Sequence, residues 1–190
     1  MIKPILQIGD PILSLETKKV ADFKSPELKQ LVADLIDTAD SKRAITAGLA
    51  APQIGSQMSV CICRRVDLEK DTTAQLSKEA LWEVVINPEI VKQSKSTSIF
   101  WEACMSVGVG KNALFGPVER PNTVTVKYQD RDGKLRSISA RGFFAHELQH
   151  EIDHLSGILF LKYISNPKNI WKRDAIDKYY DEFETYPPIE

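Results

Sequence analysis

The chain lacks an excess of charge. Its 190 residues carry 25 lysines and arginines against 26 aspartates and glutamates, a formal net charge of −1. That balance provides no basic field for DNA. Long apolar runs are missing too, since none approaches the ~18 residues that a membrane span needs. Met1-Ile2-Lys3-Pro4-Ile5 has no signal-peptide core. Cysteine is scarce: Cys61, Cys63 and Cys104 make no paired framework, so free thiols in a reducing compartment are expected. The expected setting is a bacterial cytoplasm, or an organelle if the source is eukaryotic. Oligomeric state is not legible beyond a monomer or weak dimer. An apolar fraction of 43 % suits one domain over residues 1–190, with a real core.

Histidine is as scarce as cysteine, but it is not scattered. All three histidines fall within His146-Glu147-Leu148-Gln149-His150-Glu151-Ile152-Asp153-His154. Spacings of four place them on one face of a helix, about 6 Å apart. Each neighbouring pair brackets a glutamate, so H-E-x-x-H occurs twice. Two such histidines can grip one metal, with the glutamate beside the first as general base. A solvated helix rich in His and Glu could produce the pattern by itself. The flanks argue otherwise: Phe143, Phe144, Ala145, Leu155, Ile158 and Leu159 are those of a buried helix, where polar groups need partners. The stretch alone does not choose between the two copies.

Other segments read more plainly. Asp22 to Arg43 predicts a packing helix, with Pro26 in its first turn after Ser25 and a stripe of Leu28, Leu31, Val32, Leu35 and Ile36. Val60 to Cys63 predicts a buried strand whose Cys61 and Cys63 are core thiols. Arg64 to Lys78 reads as a polar surface loop. Leu81 to Ile86 predicts a strand closed by Asn87-Pro88, with Ile90 and Val91 resuming after a bend. Val107 to Pro117, with three glycines, reads as a flexible loop lining a cleft. Val124 to Tyr128 and Leu135 to Ile138 predict a hairpin around Asp130-Arg131-Asp132-Gly133. The histidine helix should begin near Ala140 and end or bend at Gly157. Phe160 to Ile164 predicts a short strand, Lys168 to Phe183 a surface helix, and Tyr186 to Glu190 an extended tail. The expected class is α+β: short, mostly antiparallel strands around a central metal-binding helix, with a C-terminal helix outside.

Two stretches complete the chemistry. In Gly48-Leu49-Ala50-Ala51-Pro52-Gln53-Ile54-Gly55, small residues allow close backbone approach, and Gln53 is the one long polar side chain. A tight structural turn explains that stretch equally well. In Phe100-Trp101-Glu102-Ala103-Cys104-Met105-Ser106, Cys104 is the attractive third ligand for a histidine pair, because Cys61 and Cys63 sit on an ordinary strand.

Gly48-Leu49-Ala50-Ala51-Pro52-Gln53, Glu102-Ala103-Cys104-Met105-Ser106 and Gln149-His150-Glu151-Ile152-Asp153-His154-Leu155 together resemble the peptide deformylase family, in order and spacing, from about Ile5 to Leu161. The resemblance implies that Cys104, His150 and His154 bind one divalent metal, Fe(II) by preference, with Zn, Ni or Co able to replace it in a preparation. It implies Glu151 as the base, and the Gln53 amide with the Met105 backbone N–H as oxyanion donors. It implies hydrolysis of the N-terminal formyl group of newly made peptides, met at the ribosome, with release of formate. The pocket for the substrate's first side chain is expected from Ala47, Gly48, Phe143, His146 and Glu147. Arg120 is expected to orient the metal helix through Asp153.

The sequence departs from the family pattern at Thr46, Ala103, Met105 and Gly108. The largest departure is Glu147, where an apolar residue is usual. A carboxylate there disfavours an apolar guest unless it turns away or pairs, so an altered preference for methionine is expected. Two competing readings are a peptidase using His146, Glu147 and His150, and a relative that retains the fold with weakened turnover.

Overall fold

The computed structural model describes residues 1–65 and 78–190, so most of the loop expected over 64–78 lies outside the described residues. Among these, one sheet has five strands in the order β1 (Gly48–Ala50), β2 (Val60–Arg64), β3 (Trp82–Gln93), β6 (Thr123–Gln129), β7 (Leu135–Arg141). A second sheet has the order β4 (Thr97–Ala103), β5 (Leu114–Pro121), β8 (Trp171–Lys172). Every pairing within these sheets is antiparallel. The helices are α1 (Pro26–Asp40), the single turn α2 (Lys78–Leu81), α3 (Gly142–Leu155) and the C-terminal α4 (Arg173–Phe183). The architecture is α+β, as the sequence predicts.

Helix α1 starts where its cap dictates. Ser25 accepts the Leu28 N–H at 3.1 Å, and Pro26 fills the first helical position, where no N–H is needed. The helix is therefore shorter at both ends than Asp22–Arg43. Its apolar stripe packs with Leu49, Ile62, Trp82 and Ile86 on one side of the five-stranded sheet.

Helix α3 packs on β1, β2 and β7. Phe144, Ala145 and Leu148 join Ala50, Cys61, Cys63, Val126 and Ala140 in a second apolar cluster. Both strand cysteines are buried free thiols there, as expected. The helix begins at Gly142, after strand β7 has run on to Arg141, and not near Ala140. It ends at Leu155, and Gly157, two residues on, takes φ +69°. A Cβ at that position would meet the Ser14 carbonyl carbon and oxygen at 2.6 and 2.7 Å, so only glycine fits the close approach.

Four expectations need correction. Asn87-Pro88 does not close a strand: β3 runs through it with a register shift between Ile86 and Glu89. Asn87 takes φ +52° there, and its amide group accepts from the Val20 N–H and donates to the Val20 carbonyl. Val107–Pro117 is not a single loop, because β5 begins at Leu114 and pairs with β4 from Phe115 to Pro121. Phe160–Tyr163 is a 3-10 turn rather than a strand, with Phe160 buried in a third cluster beside Cys104 and Val118. In the C-terminal segment, Trp171 belongs to β8, and helix starts only at Arg173. Past α4, Tyr186 stacks on Trp101 at 5.7 Å, and Glu190 is hydrogen-bonded to Asn169.

Candidate active site

Three chain segments meet. Helix α3 brings His146, Glu147, His150, Glu151 and His154. Strand β4 ends in Glu102, and Cys104 follows it at the start of a 3-10 turn. Strand β1 and the next turn bring Gly48 and Gln53.

Cys104, His150 and His154 offer one ligand atom each, all within 4.8 Å of one another, and all three residues are buried or nearly so. Cys104 Sγ lies 3.3 Å from His154 Nε2. One thiol and two imidazoles suit Zn or Fe(II) and leave room for further ligands. Electrostatics agree with a cation here. Burial opposes a charge on His150, but hydrogen bonds with Cys104 and Glu102 outweigh it and raise its pKa well above the ordinary range. Burial holds His154 well below its ordinary value and keeps it neutral, the form that ligates. Glu151 Oε2 is buried without a hydrogen-bond partner among the described residues. The residues present therefore fit a divalent ion.

Burial raises Glu151 to about 7. Gly48 makes space for it: a Cβ there would lie 2.6 Å from Glu151 Cγ and Oε1. Gln53 is fixed by its own oxygen, which accepts the Ala50 N–H at 2.8 Å. Its amide nitrogen then points at Cys104 Sγ (3.4 Å) and Ser106 Oγ (3.2 Å). Met105 is steadied by Gln7, which donates to its carbonyl at 2.9 Å, and by Thr46, whose hydroxyl meets its sulfur at 3.1 Å.

Glu102 carries a role that sequence reasoning missed. Its Oε1 lies 2.5 Å from His146 Nε2 and 2.6 Å from Arg120 Nε. Its Oε2 lies 2.7 Å from His150 Nδ1 and 3.1 Å from Arg120 Nη2. Burial alone would raise its pKa, but hydrogen bonds from His146, His150 and Arg120 hold it far below the carboxylate range. Arg120 also donates to Asp153 at 2.6 Å, the pairing expected from the sequence. The available signal for Glu102 was a lone acid in an apolar segment, two residues before Cys104.

A cavity of 520 Å³ opens beside these groups. Ala47, Gly48, Phe143, His146 and Glu147 all line it, together with Gln53, Cys104, Met105, His150 and Glu151; His154 does not. Phe100, Trp101 and Arg173, which the sequence did not single out, also line it. His146 is not part of the ligand cluster but sits against Glu102, which disfavours the peptidase reading built on His146, Glu147 and His150. Glu147 Oε1 accepts the Arg64 N–H at 2.9 Å, and burial raises its pKa well above the ordinary range. The carboxylate thus pairs in part, one of the two escapes that burial leaves it.

The polypeptide deformylase family model matches residues 2–170. A peptide deformylase of Mesorhizobium japonicum is 39 % identical over 177 residues, 93 % of this chain and 90 % of that protein. The solved peptide deformylase of Legionella pneumophila is 34 % identical, with a TM-score of 0.74 over 97 % of this chain and 96 % of that one. That of Ehrlichia chaffeensis is 31 % identical, with a TM-score of 0.74 over the whole of both chains. With a family model spanning nearly its whole length and relatives alike in sequence and structure, this chain belongs to the polypeptide deformylase family.

Proposed function

We propose that this chain is a metal-dependent hydrolase that removes the N-terminal formyl group from newly made peptides, releasing formate and a free amine. The observation that carries the reading is the buried Cys104, His150 and His154 cluster with Glu151 and Gln53 beside it. Those three residues would hold one divalent ion, with Fe(II) as the native metal and Zn, Ni or Co as substitutes. When bound, the ion would polarise the formyl carbonyl and make a water more acidic.

The chain's own residues do the rest. Glu151 takes the proton of the attacking water as a C–O bond forms at the formyl carbon. Negative charge gathers on the formyl oxygen, where the Gln53 amide and the Met105 N–H donate to it. Because Gln53 Oε1 is held by the Ala50 N–H, its amide plane is fixed, and the N–H now directed at Cys104 Sγ is the one that donates to the oxyanion. When the C–N bond breaks, Glu151 returns the proton to the departing amine. We assign this activity to a single catalytic unit, a monomer or weak dimer acting on chains at the ribosome in a bacterial cytoplasm; the relatives named above are bacterial proteins.

The test is formate release from formyl-Met-Ala-Ser by anaerobically purified, iron-loaded protein. The Glu151→Gln variant should retain its metal and lose roughly 10²- to 10⁴-fold in kcat. Full metal occupancy without formate release by the unaltered protein would overturn the reading.

A further inference from the structure

The proposed oxyanion donors, Gln53 and Met105, stand on separate segments, and one further stretch bonds to both. The Leu6 N–H donates to the Gln53 carbonyl at 2.9 Å. The Gln7 amide nitrogen donates to the Met105 carbonyl at 2.9 Å, and the Ile8 N–H to the Ser106 carbonyl at 2.7 Å. Gln53 Nε2 closes the circuit on Ser106 Oγ at 3.2 Å. Leu6, Gln7 and Ile8 thus tie together two segments that are distant in sequence.

The circuit bears on the donors themselves. The Cys104 carbonyl accepts the Val107 N–H at 2.8 Å. That carbonyl shares a planar trans peptide unit with the Met105 N–H, so the two point opposite ways and the turn's own bond sets the direction of the donor. Gln7 and Ile8 hold the next two units, through the carbonyls of Met105 and Ser106. On the other side, Leu6 holds the main chain of Gln53, while the Ala50 N–H holds its side-chain oxygen. Gln7 and Ile8 are exposed, so hydrogen bonds rather than apolar burial fix them against the turn.

We infer that Leu6, Gln7 and Ile8 set the distance between the two oxyanion donors, and that Gln7 is a positioning residue acting through Met105. The inference rests on the deformylase reading. Donors to an oxyanion work from about 2.7–3.1 Å. A turn free to drift by on the order of 0.5 Å would weaken a bond that matters most in the transition state, and would alter binding of the peptide much less.

The test uses Gln7→Met, which keeps the bulk and removes the donor, and Gln7→Lys, which restores a donor on a stem one atom longer. Ile8→Pro removes the second N–H, with Ile8→Ala as its control. In formate release from formyl-Met-Ala-Ser by metal-loaded protein, Gln7→Met and Ile8→Pro should each lose roughly three- to tenfold in kcat, the worth of one hydrogen bond. KM, metal affinity and melting temperature should change little, and Gln7→Lys and Ile8→Ala should keep most of the rate. NMR relaxation of the backbone amides reads the donor without turnover. The Met105 N–H should have an order parameter of about 0.85 in the unaltered protein, fall toward about 0.6 in Gln7→Met and recover in Gln7→Lys. An unchanged kcat in Gln7→Met overturns the positioning role, as does a loss that Gln7→Lys does not recover, one shared equally by metal affinity, or one in which Met105 stays rigid. If Ile8→Pro does not fold, the two Gln7 variants decide. Loosening of Met105 in Gln7→Met with no formate release by the unaltered protein would sink the hydrolase reading and leave the brace standing. Equal formate release by the unaltered protein and Gln7→Met would sink the brace alone.

Discussion

His150 Nδ1 lies 2.7 Å from Glu102 Oε2, and this contact decides which side of the ring can serve a metal. Glu102 is held ionised by His146, His150 and Arg120, so it accepts and Nδ1 donates. The nitrogen left for a metal, once its own proton is displaced, is Nε2. Glu102 is two residues before Cys104, so the end of β4 supplies one proposed ligand and orients another.

Removing the charge of Glu102 should therefore loosen the metal. Glu102→Gln keeps the shape but donates where His150 needs an acceptor. Metal affinity, measured by competition with a chelator, should fall about 10- to 100-fold. Unchanged affinity would remove Glu102 from this role.

Arg120 spans Glu102 and Asp153, and its side chain is 5 % exposed. Arg120→Met leaves two carboxylates without their guanidinium. Urea unfolding should show a loss of about 3–5 kcal/mol, the usual cost of breaking a buried pair from one side. A loss under about 1 kcal/mol would place the pair among those that solvent screens.

Gly48→Ala should damage turnover more than folding. The added Cβ would press on Glu151 Cγ and Oε1, the working part of the proposed base. A misplacement of about 1 Å can cost on the order of 100-fold. Formate release should fall by that order, with metal content and melting temperature little changed. Equal losses in all three would point to a structural role for Gly48 instead.

Burial raises Glu151 to about 7 from 4.5. Between those values the folded, metal-free protein holds a proton that the unfolded chain has released. This group's contribution to stability is therefore full below 4.5 and lost as pH rises to about 7. The difference is about 3 kcal/mol. Metal-stripped protein should lose that much relative to Glu151→Gln between pH 4.5 and 7.5, read from urea unfolding. Parallel pH profiles would show an ordinary carboxylate.

Local signals carried much of this fold into the sequence. Ser25-Pro26 and an apolar stripe mark α1, and the alternation around Asp130-Gly133 marks a hairpin that pairs Val126 with Ile138. Elements held by distant partners were not legible. Strand β5 contains glycine and two prolines, and its identity comes from pairing with β4 and β8. Phe160 to Tyr163 is too short to show a period. The same holds within the site. The spacing of His150, Glu151 and His154 is local and readable. Glu102 meets Arg120, His146 and His150 only in the fold, and Glu147 meets Arg64 across 83 residues.

The central claim is that Cys104, rather than the first histidine copy, completes the metal site with His150 and His154. X-ray absorption spectroscopy of the zinc-loaded protein tests it directly. One sulfur at about 2.3 Å and two imidazole nitrogens at about 2.0–2.1 Å are expected. A shell of nitrogen and oxygen alone, unchanged in Cys104→Ser, would contradict it.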